Sequence, residues 1–145
     1  MTAETLIRVL HIAATCTSLG GLFYARAVLW PTLALLAPGE RERFLGAAIR
    51  RFAYVKWAGV AVVAVTGIYQ WFQVYPSVLD KKLYLLYFAL KMVGAVGLFG
   101  ITFLLALPAE RLEGMRRRRA LWSGLNVLCG LTILVGAALM RTVAR

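Results

Sequence analysis

Acid is scarce in this chain, and cysteine and histidine are scarcer. Of 145 residues, 6 are Asp or Glu, 2 are Cys and 1 is His, against 17 Lys and Arg. Cys16 and Cys129 both lie in apolar runs, form no CxxC pair and frame no loop, which excludes a disulfide scaffold. Glu4, Glu40, Glu42, Asp80, Glu110 and Glu113 fall in the N-terminal tail or between the apolar runs. None is placed to neutralise a cation inside those runs. The sequence has no dinucleotide fingerprint, no Met-rich or His-rich loop, no repeat and no low-complexity stretch. No small-x-small cleavage site precedes Gly20 and Gly21, and the first apolar run is longer than a signal-peptide core, so it is expected to be retained.

What is abundant is apolar surface. The chain is 61% hydrophobic with a mean hydropathy of +0.76, more than a soluble domain of this size can bury. A helix needs about 20 apolar residues to cross a bilayer. Four segments qualify: roughly 5–30, 52–75, 83–107 and 120–140. The expected fold is an all-α integral membrane protein, an up-down bundle of four transmembrane helices forming one domain over 1–145. Pro38 follows the first helix, Pro76 ends the second and Pro108 ends the third, while Pro31 is placed to bend the first. Residues 39–51, "GERERFLGAAIRR", read as an amphipathic run leading into the second helix. Small residues at Gly20, Gly21, Gly59, Gly67, Gly94, Gly97, Gly100 and Gly130 allow helices to approach closely, within one chain or in a homodimer.

The net charge of +11 sits beside apolar runs and accompanies no nucleic-acid motif. It reads as contact with lipid head groups, not with nucleic acid. Arg41, Arg43, Arg50, Arg51, Arg111 and Arg116 to Arg119 fall in the first and third loops, against Arg8, Lys81, Lys82, Arg141 and Arg145 on the other side. The positive-inside rule therefore puts those two loops in the cytoplasm and both termini outside.

Within the spans three cations remain: Arg26, Lys56 and Lys91. An unpaired charge at the centre of a membrane helix costs roughly 2.5–3.5 kcal/mol on insertion scales. Arg26 and Lys56 lie near the cytoplasmic end, where long side chains reach head groups. Lys91 lies about 13 Å into the third helix, too deep to do so easily, and His11 about 9 Å into the first, from the same side. His11, Thr15, Ser18, Leu22 and Arg26 share a helical stripe. Thr66, Gln70 and Gln73 form one on the second helix; Tyr84, Tyr87 and Lys91 one on the third; Ser123 and Asn126 one on the fourth. Turned inward, these stripes line a polar cavity. His11 and Lys91 are its candidate catalytic pair, with Arg26, Thr15, Ser18, Tyr87 and Asn126 as further cofactor-binding candidates.

A copper(I) site draws on thiolate, thioether and imidazole. His11, Cys16, Cys129, Met92 and Met140 supply those groups, but no two form a tight pair on one helix face. A haem or related tetrapyrrole suits the stripes better. Its ring is apolar, cations can meet its propionates, and His11 can ligate the iron, with a neutral Lys91 as sixth ligand. A single histidine excludes bis-histidine ligation within one chain.

"LIRVLHI" followed by "GGLFYARAVLWP" resembles the first helix of two related four-helix membrane families, the HemJ-type protoporphyrinogen oxidases and the copper-resistance protein D (CopD) domain. His11, "GLFY" with Arg26, Lys91, and Asn126 after Trp122 are similar to the HemJ pattern. "RRFAYVKWAGVAVVAVTGIYQW" and "LYLLYFALK" are closer to CopD. Thr17, Ser18 and Leu19 stand where a tryptophan is usual, and Ala89 where HemJ-type proteins tend to carry a second histidine. The HemJ resemblance implies a bacterial-type inner (cytoplasmic) membrane location, haem b, redox chemistry on a tetrapyrrole at His11 and Lys91, and a quinone or membrane redox partner. The CopD resemblance implies copper transport or resistance. An accessory subunit without a cofactor is the remaining alternative.

Overall fold

The computed structural model describes residues 2–106, 114, 115 and 118–144. All regular structure among them is helical. Helix α1 runs Ala3–Leu33, α2 Pro38–Val74, α3 Lys81–Ala106 and α4 Arg119–Val143. Pro108, Arg111, Arg116 and Arg117 lie outside the described residues, so the expected end of the third helix and part of the third basic loop are not placed.

Local chemistry explains the boundaries. Thr2 caps α1, its Oγ1 accepting the Thr5 N–H at 3.3 Å, and Glu4 sits in the first turn where the helix dipole favours an acid. The distortion associated with Pro31 is a widened turn just before it. Over Ala25–Leu29 the helix is a π-helix, and the Trp30 N–H reaches back to the Ala25 carbonyl. Pro31 brings no N–H and crowds the preceding turn, which favours such a local loosening. Pro38 opens α2 as well as following α1: the Arg41 N–H bonds the Ala37 carbonyl at 2.9 Å, and proline is suited to a first turn where no N–H is required. The run 39–51 is therefore part of α2 itself. At 37 residues and 1.5 Å each, α2 is about 55 Å long, well beyond a hydrocarbon core of about 30 Å. Pro76 lies in a 3₁₀ turn, Tyr75–Ser77, that ends it. Asp80 then caps α3, Oδ1 accepting the Leu83 N–H at 3.0 Å.

The chain divides into two compact units, Met1–Gln73 and Val74–Arg145. Each contains an antiparallel helical hairpin. In the first, Gly67 faces His11, Gly59 faces Ser18 and Gly21 faces Phe52, so numbers fall along α2 as they rise along α1. In the second, Gly136 faces Lys91, Ile133 and Cys129 face Gly94, Cys129 faces Gly97, and Asn126 bonds Thr102. Glycine is required where the neighbouring atoms belong to the facing backbone. A Cβ on Gly94 would stand 2.9 Å from the Cys129 carbonyl oxygen, and one on Gly136 would stand 3.0 Å from the Lys91 backbone nitrogen. Small residues let helix backbones meet this closely.

All four helices are long and apolar enough to cross a membrane. In their most apolar windows only 6%, 11%, 17% and 17% of residues are buried. The apolar side chains therefore point outward, among them Val65, Phe72 and Val93. That surface is compatible with lipid. At one helix junction Tyr75 lies 6.1 Å from Tyr84 and beneath the Lys81 ammonium, an aromatic and basic grouping suited to a membrane interface.

Candidate functional site

In the first hairpin the expected stripe on α1 turns inward as far as Leu22: His11, Thr15, Ser18 and Leu22 are half-buried. Arg26, inside the π-turn, is exposed. It lies about 35 Å from Ala3 along the helix, farther than the thickness of a hydrocarbon core. On α2, Thr66 is buried, Gln70 half-buried and Gln73 exposed, with the Gln73 amide donating to the Tyr69 hydroxyl.

The two stripes meet at His11. Its Nδ1 lies 2.8 Å from the Thr66 Oγ1. The neighbouring Gly67 makes room for the ring, since a Cβ there would lie 3.3 Å from His11 Cε1. The Thr66 hydroxyl also contacts its own helix, 2.5 Å from the Val62 carbonyl. His11 is eight residues from Ala3, and Thr66 is eight from Val74. Both therefore lie about 12 Å from the same end of the hairpin. Thr15 contributes less than expected: its hydroxyl donates to the His11 carbonyl at 2.7 Å, within its own helix. Ser18 Oγ and Gln70 Nε2 are buried with no hydrogen-bond partner among the described residues. Buried polar atoms are rarely left so, and such atoms commonly mark a bound water or ligand.

In the second hairpin Tyr84 is buried, and Tyr87 and Lys91 are half-buried on the same stripe. Lys91 sits at a close approach of α3 and α4, its backbone against Gly136. Asn126 is 5% exposed, and its Nδ2 donates to the Thr102 Oγ1 at 3.1 Å while its Oδ1 is buried without a partner among the described residues. Sequence reasoning missed two partners here, Thr66 for His11 and Thr102 for Asn126. Thr66 was visible only as a member of a polar stripe, and Thr102 carried no signal beyond being a hydroxyl in an apolar run.

The donor set bears on which metal chemistry fits. Cys16 is exposed on α1, away from the half-buried His11 face, and Cys129 packs against Gly97 in the other hairpin. Among the described residues no three His, Cys, Asp or Glu side chains gather into a metal-holding group. A porphyrin brings four nitrogen ligands of its own and asks the protein only for axial ones, so a solitary, oriented imidazole fits it better than it fits a metal held by side chains alone. Comparison with protein-family models, with curated proteins and with solved structures finds no match to this chain.

Proposed function

We propose that this is a multi-pass membrane protein that binds a b-type haem or a related tetrapyrrole for redox chemistry, with His11 as an iron ligand. The observation that carries the reading is the half-buried imidazole of His11, held by buried Thr66 on the facing helix. Metal-ligating histidines almost always donate their other ring N–H to an oxygen acceptor, and the Thr66 hydroxyl oxygen is placed to be one. The buried, unpartnered Ser18 Oγ and Gln70 Nε2 in the same hairpin support a bound polar group nearby. Arg26, expected to meet a propionate, is exposed and fifteen residues, about 22 Å, along α1 from His11, so it is not part of this site. When bound, the tetrapyrrole supplies one-electron chemistry at its iron. The resemblance to HemJ-type proteins adds protoporphyrinogen as the substrate, losing six electrons and six protons to three quinones or to a membrane redox partner. In this reading the four helices form an up-down bundle in a bacterial-type inner membrane, with the first and third loops cytoplasmic.

The test is spectroscopic. The full chain, purified in detergent and titrated with haemin, is expected to develop a Soret band that His11→Ala abolishes while the variant still inserts. A colourless protein carrying stoichiometric copper overturns the haem reading in favour of copper transport. A protein that takes up neither favours an accessory subunit or a labile cofactor.

A further inference from the structure

The Thr66 hydroxyl has one proton and three polar neighbours, two of them carbonyls of its own helix (Val62 and, at 3.4 Å, Val63), which determines the tautomer of the ring it touches. Its oxygen lies 2.5 Å from the Val62 carbonyl oxygen and 2.8 Å from His11 Nδ1. Two oxygens at the shortest hydrogen-bonding separation repel unless a proton lies between them. A carbonyl has no proton to give, so the proton is the hydroxyl's and it points at Val62. Toward His11 the same oxygen has only lone pairs, so Nδ1 must be the donor.

We infer that Thr66 is a positioning residue: it holds the neutral His11 ring as the Nδ1–H tautomer and so makes Nε2 the nitrogen that carries the lone pair. The consequence for iron rests on the tetrapyrrole reading above, but the tautomer does not. Free histidine in water favours the opposite tautomer, Nε2–H, whose lone pair is on Nδ1. The relay from Nδ1–H through the Thr66 hydroxyl to the Val62 carbonyl reverses that preference. It also polarises the ring, because a hydroxyl that is itself donating is a better acceptor. Gly67 is the companion feature. A side chain there would press on Cε1, the carbon between the two nitrogens, and tilt the ring off Thr66.

The chain has a single histidine, so the tautomer can be read without assignment. Protein labelled with ¹⁵N-histidine is expected, in detergent or bilayers at a pH where the ring is neutral, to show a protonated, pyrrole-type Nδ1 and an unprotonated, pyridine-type Nε2. Thr66→Val keeps the shape and removes the acceptor, and is expected to move the ring to Nε2–H; Thr66→Ser is expected to restore Nδ1–H. A wild-type ring found as Nε2–H overturns the inference whether or not any variant folds, and so does a Thr66→Val spectrum identical to wild type. In haemin titrations Thr66→Val is expected to weaken binding by about 10–100-fold, the usual effect of losing a partner to a metal-bound histidine, with Thr66→Ser recovering most of it. If haemin does not bind but the labelled ring is Nδ1–H and follows Thr66, the tetrapyrrole reading fails and the positioning role stands. If haemin binds through His11 while the ring is Nε2–H, the positioning role fails and the tetrapyrrole reading stands.

Discussion

Replacing Gly136 by alanine tests a close backbone approach in the second hairpin. The new Cβ would lie 3.0 Å from the Lys91 backbone nitrogen, 3.0 Å from its Cβ and 3.1 Å from its Cα. Ordinary carbon contacts are about 3.5–4.0 Å. Three atoms at or next to the backbone cannot rotate aside, so α3 and α4 must separate by roughly 0.5–1 Å. A gap of that size forfeits about a quarter to a half of the dispersion attraction of every pair across it. Those pairs include Gly94 with Cys129 and Ile133, and Gly97 with the Cys129 sulfur. Overpacking of this kind costs about 1–3 kcal/mol. Gly100→Ala on α3 and Gly124→Ala on α4 are the matched controls, because nothing stands within 4 Å of either new methyl. Their effect is expected to be near zero, or slightly favourable from alanine's better helix propensity. The measurement is unfolding of the full chain in mixed micelles of rising SDS fraction, followed by circular dichroism. Gly136→Ala is expected to unfold at a clearly lower SDS fraction than either control. Coincident curves for all three would refute the close packing of Lys91 on Gly136.

Gly67→Ala is expected to lower haemin affinity severalfold, because the His11 ring must give way by a few tenths of an ångström; Gly20→Ala, with open space around it, is the control, and equal affinities would count against the contact. A double-mutant cycle on Asn126→Ala and Thr102→Val is expected to give a coupling of about 0.6 kcal/mol, the average for hydrogen bonds between membrane helices, and a coupling of zero would remove this bond from the account of the second hairpin. Topology is read by Thr2→Cys in a chain whose Cys16 and Cys129 are replaced by alanine. Labelling by an impermeant thiol reagent in intact cells is expected, and labelling only after lysis would reverse the orientation.

The helices were legible because hydropathy alone reports them. A run of apolar residues about 20 long has few structural alternatives, and the spans expected near 5–30, 52–75, 83–107 and 120–140 all lie within helices where described. Helix ends were less legible. Proline ends one helix and begins another with equal ease, and Pro38 does the second by leaving the Arg41 N–H to bond Ala37. Polar stripes read from a period of 3.6 residues held for His11 through Leu22 and for Tyr84 through Lys91. Pairing across helices was not legible. Thr66 meets His11 because Gly67, Gly59 and Gly21 fix how α2 slides along α1, and a sequence shows which glycines exist but not which ones touch. Thr15 has the right position on the stripe, yet its hydroxyl bonds the carbonyl one turn back, a choice that many helical threonines make.

The π-turn at Ala25–Leu29 is a phase shift in α1. Each residue of an α-helix advances the side-chain direction by about 100°, and one extra residue in a turn resets the face presented by everything after it. That is why the stripe through His11, Thr15, Ser18 and Leu22 ends at an exposed Arg26, and Leu33, which a regular helix would keep within about 20° of Leu22, is aimed elsewhere beyond the turn, where it is 1% exposed. The two ends of α1 are thus aimed independently, one to hold the imidazole and the other to seat Leu33. Removing one residue from the turn would make the helix regular and would swing Leu33 out of its seat by about a quarter of a revolution. In this segment chain length acts as a dial for orientation, so a one-residue deletion is a larger change than most substitutions nearby.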